Sequence, residues 1–156
     1  MNLTQLKWTK NINRKDGEWA YPRKDNIERF TDFKLHWKPD SQKSYNNAIN
    51  AKKGDLAILR QNTKVTHIVE FIDNDEPKED SENDNNWIYR LVKVIWMPDT
   101  DNWAELPHQD DIFDCSLKLQ GGNIMQLENI QSLRQEWNRK GGIIGFQKHI
   151  QETFKL

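Results

Sequence analysis

Apolar residues come in short, punctuated runs along this chain, and their spacing predicts most of its elements. Residues 55–60 (DLAILR) and 65–72 (VTHIVEFI) flank a Gln61-Asn62-Thr63 turn, which predicts a hairpin of two buried strands. Residues 87–97 (WIYRLVKVIWM) are β-branched and aromatic and run into Pro98, the pattern of a central strand. Ahead of the hairpin, Asp40/Ser41 offers an N-cap and Tyr45, Ala48 and Ile49 follow at helical spacing. Lys52-Lys53-Gly54 then supplies closing cations and a C-terminal glycine. The clearest helix covers 126–140, with Leu127, Ile130, Leu133 and Trp137 on one face. Gly141-Gly142 ends it, and Phe146, Ile150 and Phe154 predict a terminal helix over 143–154. A further strand is expected over 112–119. A short helix is expected over 26–33, within a first stretch of 40 residues that otherwise shows no period. Loop-joined strands between helices predict an α+β fold: a small curled antiparallel sheet or β-barrel flanked by helices.

Composition narrows this picture. A chain of 156 residues is expected to form a single domain, 1–156. Only 35% of residues are apolar, yet seven Trp, three Tyr and six Phe speak against disorder. The longest apolar run, residues 141–146 (GGIIGF), is far short of the roughly 20 residues of a membrane helix. The first residues lack a signal peptide's apolar stretch, so the expectation is a cytoplasmic protein without a membrane partner. A single Cys excludes an internal disulfide framework and a Cys-based zinc cluster.

The charge is uneven. Residues 73–86 (DNDEPKEDSENDNN) hold seven acids and one Lys, while residues 1–60 carry 13 Lys/Arg and seven Asp/Glu. This reads as a moderately basic body, able to attract a polyanion, with an acidic flexible loop at 73–86. That loop is either a solvated hairpin connection or a contact site for a basic protein partner.

At Lys52-Lys53-Gly54-Asp55 the pattern meets a known one. A short helix, K-x-G-D before an apolar strand, a return strand, a polar insertion and a Trp-led strand ending in Pro98 resemble the PUA-like superfold, most closely its EVE/YTH branch. Residues 87–96 (WIYRLVKVIW) followed by 101–107 (DNWAELP) are similar to that branch's long strand and the loop after it. Residues 119–127 (LQGGNIMQL) look like its glycine turn before the closing helix. The resemblance covers about residues 40 to 140. It implies a small barrel whose mouth receives an extruded base, often a chemically modified one, in an aromatic cage. An aromatic slot replaces lost base stacking by about 1–3 kcal/mol per base, while Lys/Arg at the rim hold flanking phosphates.

On that reading the stacking candidates are Trp19, Tyr21, Trp37 and Trp103, and the phosphate candidates are Arg23, Lys24, Lys38 and Arg60. The other reading of the N-terminal aromatics is that they cover an open edge of the barrel. Trp87, Trp96 and Trp137 sit in regular elements and are expected in the core. No His pair has i,i+4 ligand spacing, and each of the four reads as satisfied or exposed. Asp110, Asp111 and Asp114 read as solvated loop acids, and Cys115 has no base beside it. The expectation is therefore a non-enzymatic reader, without metal or cofactor, that binds DNA or RNA and accommodates a flipped or modified base. The alternative is a protein-interaction module of a larger defence or regulatory complex, working through 73–86 without nucleic-acid binding.

Overall fold

The structure, a computed structural model, describes residues 1–12, 16–21, 32–39, 41–82, 87–118 and 121–156. Its centre is the expected hairpin: β3 (Leu56–Gln61) and β4 (Lys64–Phe71) pair antiparallel. Asn62 and Thr63 turn the chain at φ 47° and 63°, the left-handed pair that matches strand twist in a two-residue loop. Helix α1 (Ser41–Ala48) precedes it, and β6 (Ile88–Trp96) pairs antiparallel with β4. The Gly54-Asp55 motif has a structural use. Gly54 sits at φ 88°, and Asp55 accepts hydrogen bonds from Lys7 Nζ (2.8 Å), Trp8 Nε1 (2.9 Å) and the Lys52 N–H (2.9 Å). Burial opposes ionisation of Asp55, but these three donors outweigh it and hold the carboxyl below its ordinary value.

The first 40 residues are more regular than their sequence suggests. They contribute β1 (Leu6–Ile12) and β2 (Asp32–Trp37); of the helix expected over 26–33, residues 26–31 lie outside the described residues, and Asp32 and Phe33 begin a strand. Strand β1 pairs parallel with β3, so the sheet is mixed and not wholly antiparallel. Among the described residues its order is β2-β6-β4-β3-β1-β7, with the short β5 (Lys78–Glu79) also on β6 and β7 (Ile124–Gln126) on β1. The sheet curls into a half-barrel, and Asn47 of α1 clasps its two ends. Asn47 Oδ1 accepts from Trp37 Nε1 on β2 (2.9 Å) and from the Ile124 N–H on β7 (2.7 Å), while its Nδ2 donates to Ile124 O (3.0 Å). The fold is α+β: a curled mixed sheet with, among the described residues, four α-helices.

Two apolar cores result. On the outer face Leu6, Ile58 and Ile68 pack against α2 (Gln109–Phe113), α3 (Gln131–Trp137) and α4 (Gly142–Phe154) through Phe113, Leu133, Trp137, Phe146 and Ile150. The inner face gathers Leu35, Trp37, Leu59, Val69, Phe71, Val92 and Ile124 under Ala48 and Ala51. Of the strand expected over 112–119, residues 112–118 form the end of α2 and an irregular stretch, and residue 119 lies outside the described residues. His108 Nδ1 accepts from the Asp110 N–H to start that helix, and Asp114 stops it at φ 53°. The helix expected from 126 starts at Gln131, because Ile124–Gln126 is drawn into the ladder beside β1 and Ile130 is extended. No helix among the described residues is long and apolar enough to cross a membrane.

The acidic segment is held to the body. Arg90, fully buried on β6, bonds Asp73 through Nε and Nη2 and Asp75 through Nη2, while its Nη1 bonds the carbonyls of Ala48 and Ala51. Asp80 accepts from Lys34 and pairs with His36; β5 adds a short ladder. Asp73 and Asp75 are thereby tied to the sheet by buried Arg90, and Asp80 and Glu82 by Lys34 of β2. Residues 83–86 lie outside the described residues.

Candidate functional site

Two irregular segments converge on the β3–β4 hairpin end of the half-barrel. Residues 16–21 are pinned there by Gln61, whose Oε1 accepts from the N–H groups of Ala20 (2.9 Å) and Tyr21 (3.1 Å), and by Asn62 Nδ2, which donates to Gly17 O (3.0 Å). From the other side, Lys64 Nζ bonds Leu106 O (2.5 Å) and the Gln109 N–H bonds Thr63 O (2.7 Å). The second tether fixes the 3-10 turn at Trp103–Glu105.

Between them runs a chain of rings. Trp19 meets Trp103 edge-on at 5.5 Å, and Trp103 meets His67 of β4 edge-on at 5.4 Å. His67 then meets Phe33 of β2 at 5.8 Å, and Phe33 meets Tyr21 at 4.8 Å. Four of these five residues come from segments with no helical or strand period in the sequence or from its edge strand. Tertiary structure alone assembles them.

The group is unusual in its hydrogen bonding. His67 is 0% exposed and Trp103 3% exposed, yet among the described residues His67 Nε2 and Trp103 Nε1 have no hydrogen-bond partner. A buried donor left unmade costs about 1–3 kcal/mol, so native proteins rarely keep one without a use. Burial also pushes the His67 imidazole down to about 3, leaving it neutral at physiological pH.

Positive charge lies close by. Register places Ile124, Lys10, Leu59 and His67 in one row across β7, β1, β3 and β4. Lys10 is 3% exposed, donates to Gly122 O (2.5 Å) and lies 4.8 Å from the Trp37 ring. Burial, then the charges of Lys38 and Arg60, bring its amine down to about 7. Among the described residues no carboxylate forms an ion pair with Lys10 or Arg60. Beside Tyr21 stands a second polar group. The Tyr21 hydroxyl contacts His36 Nδ1 (3.0 Å) and accepts from the His36 N–H (3.0 Å), and His36 Nε2 meets Asp80 Oδ2 at 2.7 Å. Burial holds the Tyr21 hydroxyl above the ordinary phenol value, so it stays protonated and donates to the ring.

Of the stacking candidates, the structure brings Trp19, Tyr21 and Trp103 together. Trp37 belongs to the inner core at 2% exposure, because the sheet's curl carries it onto Lys10 and Asn47. Among the phosphate candidates Lys38 is exposed. Arg60 is not at a rim: it is 1% exposed and bonds Thr9 Oγ1 (2.9 Å) and Gln109 Oε1 (3.1 Å), with burial lowering it to about 10. Arg23 and Lys24 lie outside the described residues. Sequence reasoning missed Phe33, His67 and Lys10. His67 is neither satisfied nor exposed, and its only sequence signal is a polar residue inside an apolar strand. Trp137 is core as expected, while Trp87 and Trp96 are half-buried. The acids at 110–114 serve the fold: Asp110 Oδ1 accepts from the Leu117 N–H and Asp114 bonds Lys140. Burial raises the Cys115 thiol, against thiolate chemistry.

No family model matches the chain, and neither a curated protein nor a solved structure matches it.

Proposed function

We propose that this protein is a non-catalytic nucleic-acid reader that takes up one flipped or modified base at the aromatic end of its half-barrel. The observation that carries the reading is the ring chain Trp19–Trp103–His67–Phe33–Tyr21, with two buried ring nitrogens that have no partner among the described residues. Aromatic faces replace the stacking that an extruded base gives up, and unpaired polar groups read its edge. Exposed Lys38 adds positive charge without a carboxylate partner among the described residues, which favours a ligand carrying phosphate. The sheet's PUA-like character and the EVE/YTH likeness are part of this proposal, as is a cytoplasmic location. The rival interaction module draws less support, because Asp73, Asp75, Asp80 and Glu82 already face Arg90, Lys34 or His36.

The test is a titration of the protein with modified and unmodified oligonucleotides, followed by tryptophan fluorescence at several salt concentrations. The expected outcome is quenching that depends on the offered base, with affinity falling as salt rises. Equal, salt-independent signals for every oligonucleotide would overturn the reading. Trp19→Ala should weaken binding by about 1–3 kcal/mol while leaving the unfolding transition in place.

A further inference from the structure

We infer that Asp80 is a positioning residue for the base-stacking ring of Tyr21, acting on it through His36. The inference rests on the base-reading proposal and gives the acidic segment a part in it.

The relay joins three separate segments. Tyr21 ends the ring chain, half-buried and packed on Phe33 at 4.8 Å. Gln61 fixes its backbone by accepting from the Tyr21 N–H at 3.1 Å, and His36 of β2 fixes its hydroxyl. That hydroxyl accepts from the His36 N–H and donates to His36 Nδ1, both at 3.0 Å, and the two rings lie within 7° of parallel.

Donation to Nδ1 depends on the tautomer of His36, and Asp80 sets it. A carboxylate only accepts, and Asp80 Oδ2 lies 2.7 Å from His36 Nε2. The proton of the neutral imidazole therefore sits on Nε2, which leaves Nδ1 as an acceptor. Asp80 is itself fixed at 7% exposure. Its N–H donates to Trp87 O at 2.8 Å, and its Oδ1 accepts from Lys34 Nζ (3.2 Å) and the Glu82 N–H (3.3 Å).

An amide cannot do the same. The two donors on the Oδ1 side hold the carbonyl of an Asp80→Asn side chain, which turns its Nδ2 donor towards His36. A donor facing Nε2 moves the imidazole proton to Nδ1. The Tyr21 hydroxyl then meets two N–H groups and no acceptor, and the ring loses the bond that pinned it. A ring held in place before binding spares the ordering cost at binding, so its release weakens stacking on a base.

The test joins a spectroscopic and a binding readout on the full chain. Imidazole nitrogen NMR should show His36 protonated on Nε2 in the parent and on Nδ1 in Asp80→Asn. The oligonucleotide bound most tightly in the titration above should bind about fivefold more weakly to Asp80→Asn. Tyr21→Phe keeps the ring and removes the hydroxyl; it should weaken binding to a similar extent, and adding Asp80→Asn to it should change nothing further. Tyr21→Phe binding as tightly as the parent overturns the inference and leaves base reading standing. So does an unmoved tautomer, an affinity unchanged in Asp80→Asn, or a second loss of similar size in the double variant. No binding to any oligonucleotide overturns both.

Discussion

The two ends of the half-barrel's inner face treat buried nitrogen in opposite ways. Under α1, Arg90 is buried beside Phe71 and every part of its guanidinium has an acceptor: Asp73, Asp75 and the carbonyls of Ala48 and Ala51. At the hairpin end, His67 and Trp103 are buried too, yet His67 Nε2 and Trp103 Nε1 have no partner among the described residues, and Lys10 nearby donates to one carbonyl. The first arrangement joins helix, strand and acidic segment, as a stabilising network should. The second leaves buried polar atoms without partners among the described residues, which costs stability.

The largest break in this comparison comes from the satisfied end. Arg90→Met strands two carboxylates and two carbonyls, so urea unfolding should show a loss of about 3–5 kcal/mol. A free energy changed by less than about 1 kcal/mol would mean the network is not the tie described here.

Acidification probes the other end. His67 titrates near 6.5 when unfolded and is held down to about 3 when folded. Between those values the unfolded chain binds the extra proton. The contribution is therefore complete above about pH 6.5 and is lost as the pH falls towards 3, by about 2 kcal/mol between pH 7 and pH 5. The depressed carboxyls of Asp55, Asp80 and Asp114 act lower in pH, since a carboxylate's unfolded value is near 4. Thermal melts across this window should fall for the parent protein and stay flatter for His67→Phe.

The smallest effect is a contrast between two equal truncations. Trp137 Nε1 donates to Phe113 O at 2.9 Å in the outer core, while Trp103 Nε1 has no acceptor among the described residues. Trp137→Phe should therefore cost about 1–2 kcal/mol more than Trp103→Phe, measured as paired unfolding free energies. Equal costs would show that the Trp103 N–H is satisfied after all.

Elements with a local signal were legible. The β3–β4 hairpin carries an Asn62-Thr63 turn between apolar runs, β6 a long β-branched stretch, and α4 a fourfold aromatic and aliphatic spacing. Strands β1 (LKWTKNI) and β2 (DFKLHW) were not, because Lys and His interrupt their alternation and their ladders come from partners far away in sequence. At Ile112–Phe113, β-branched and aromatic residues argued for a strand, and the His108 cap with the left-handed Asp114 overrode them.

The site divides along the same line. Some of its rings could be named from residues alone: Trp19, Tyr21 and Trp103 were singled out, and the structure brings them together. Which indole is filling and which is wall could not, since Trp37 and Trp103 differ only in what the folded chain places against them. Local sequence determined where the chain turns, which stretches extend or coil, and that aromatic and cationic residues are plentiful. Only the curl of the sheet decided that Lys10 and Arg60 lie inside, that Asp73 and Asp75 meet Arg90, and that two N–H groups have no partner among the described residues. Burial and hydrogen-bond pairing are properties of distant neighbours, and periodicity reports near ones.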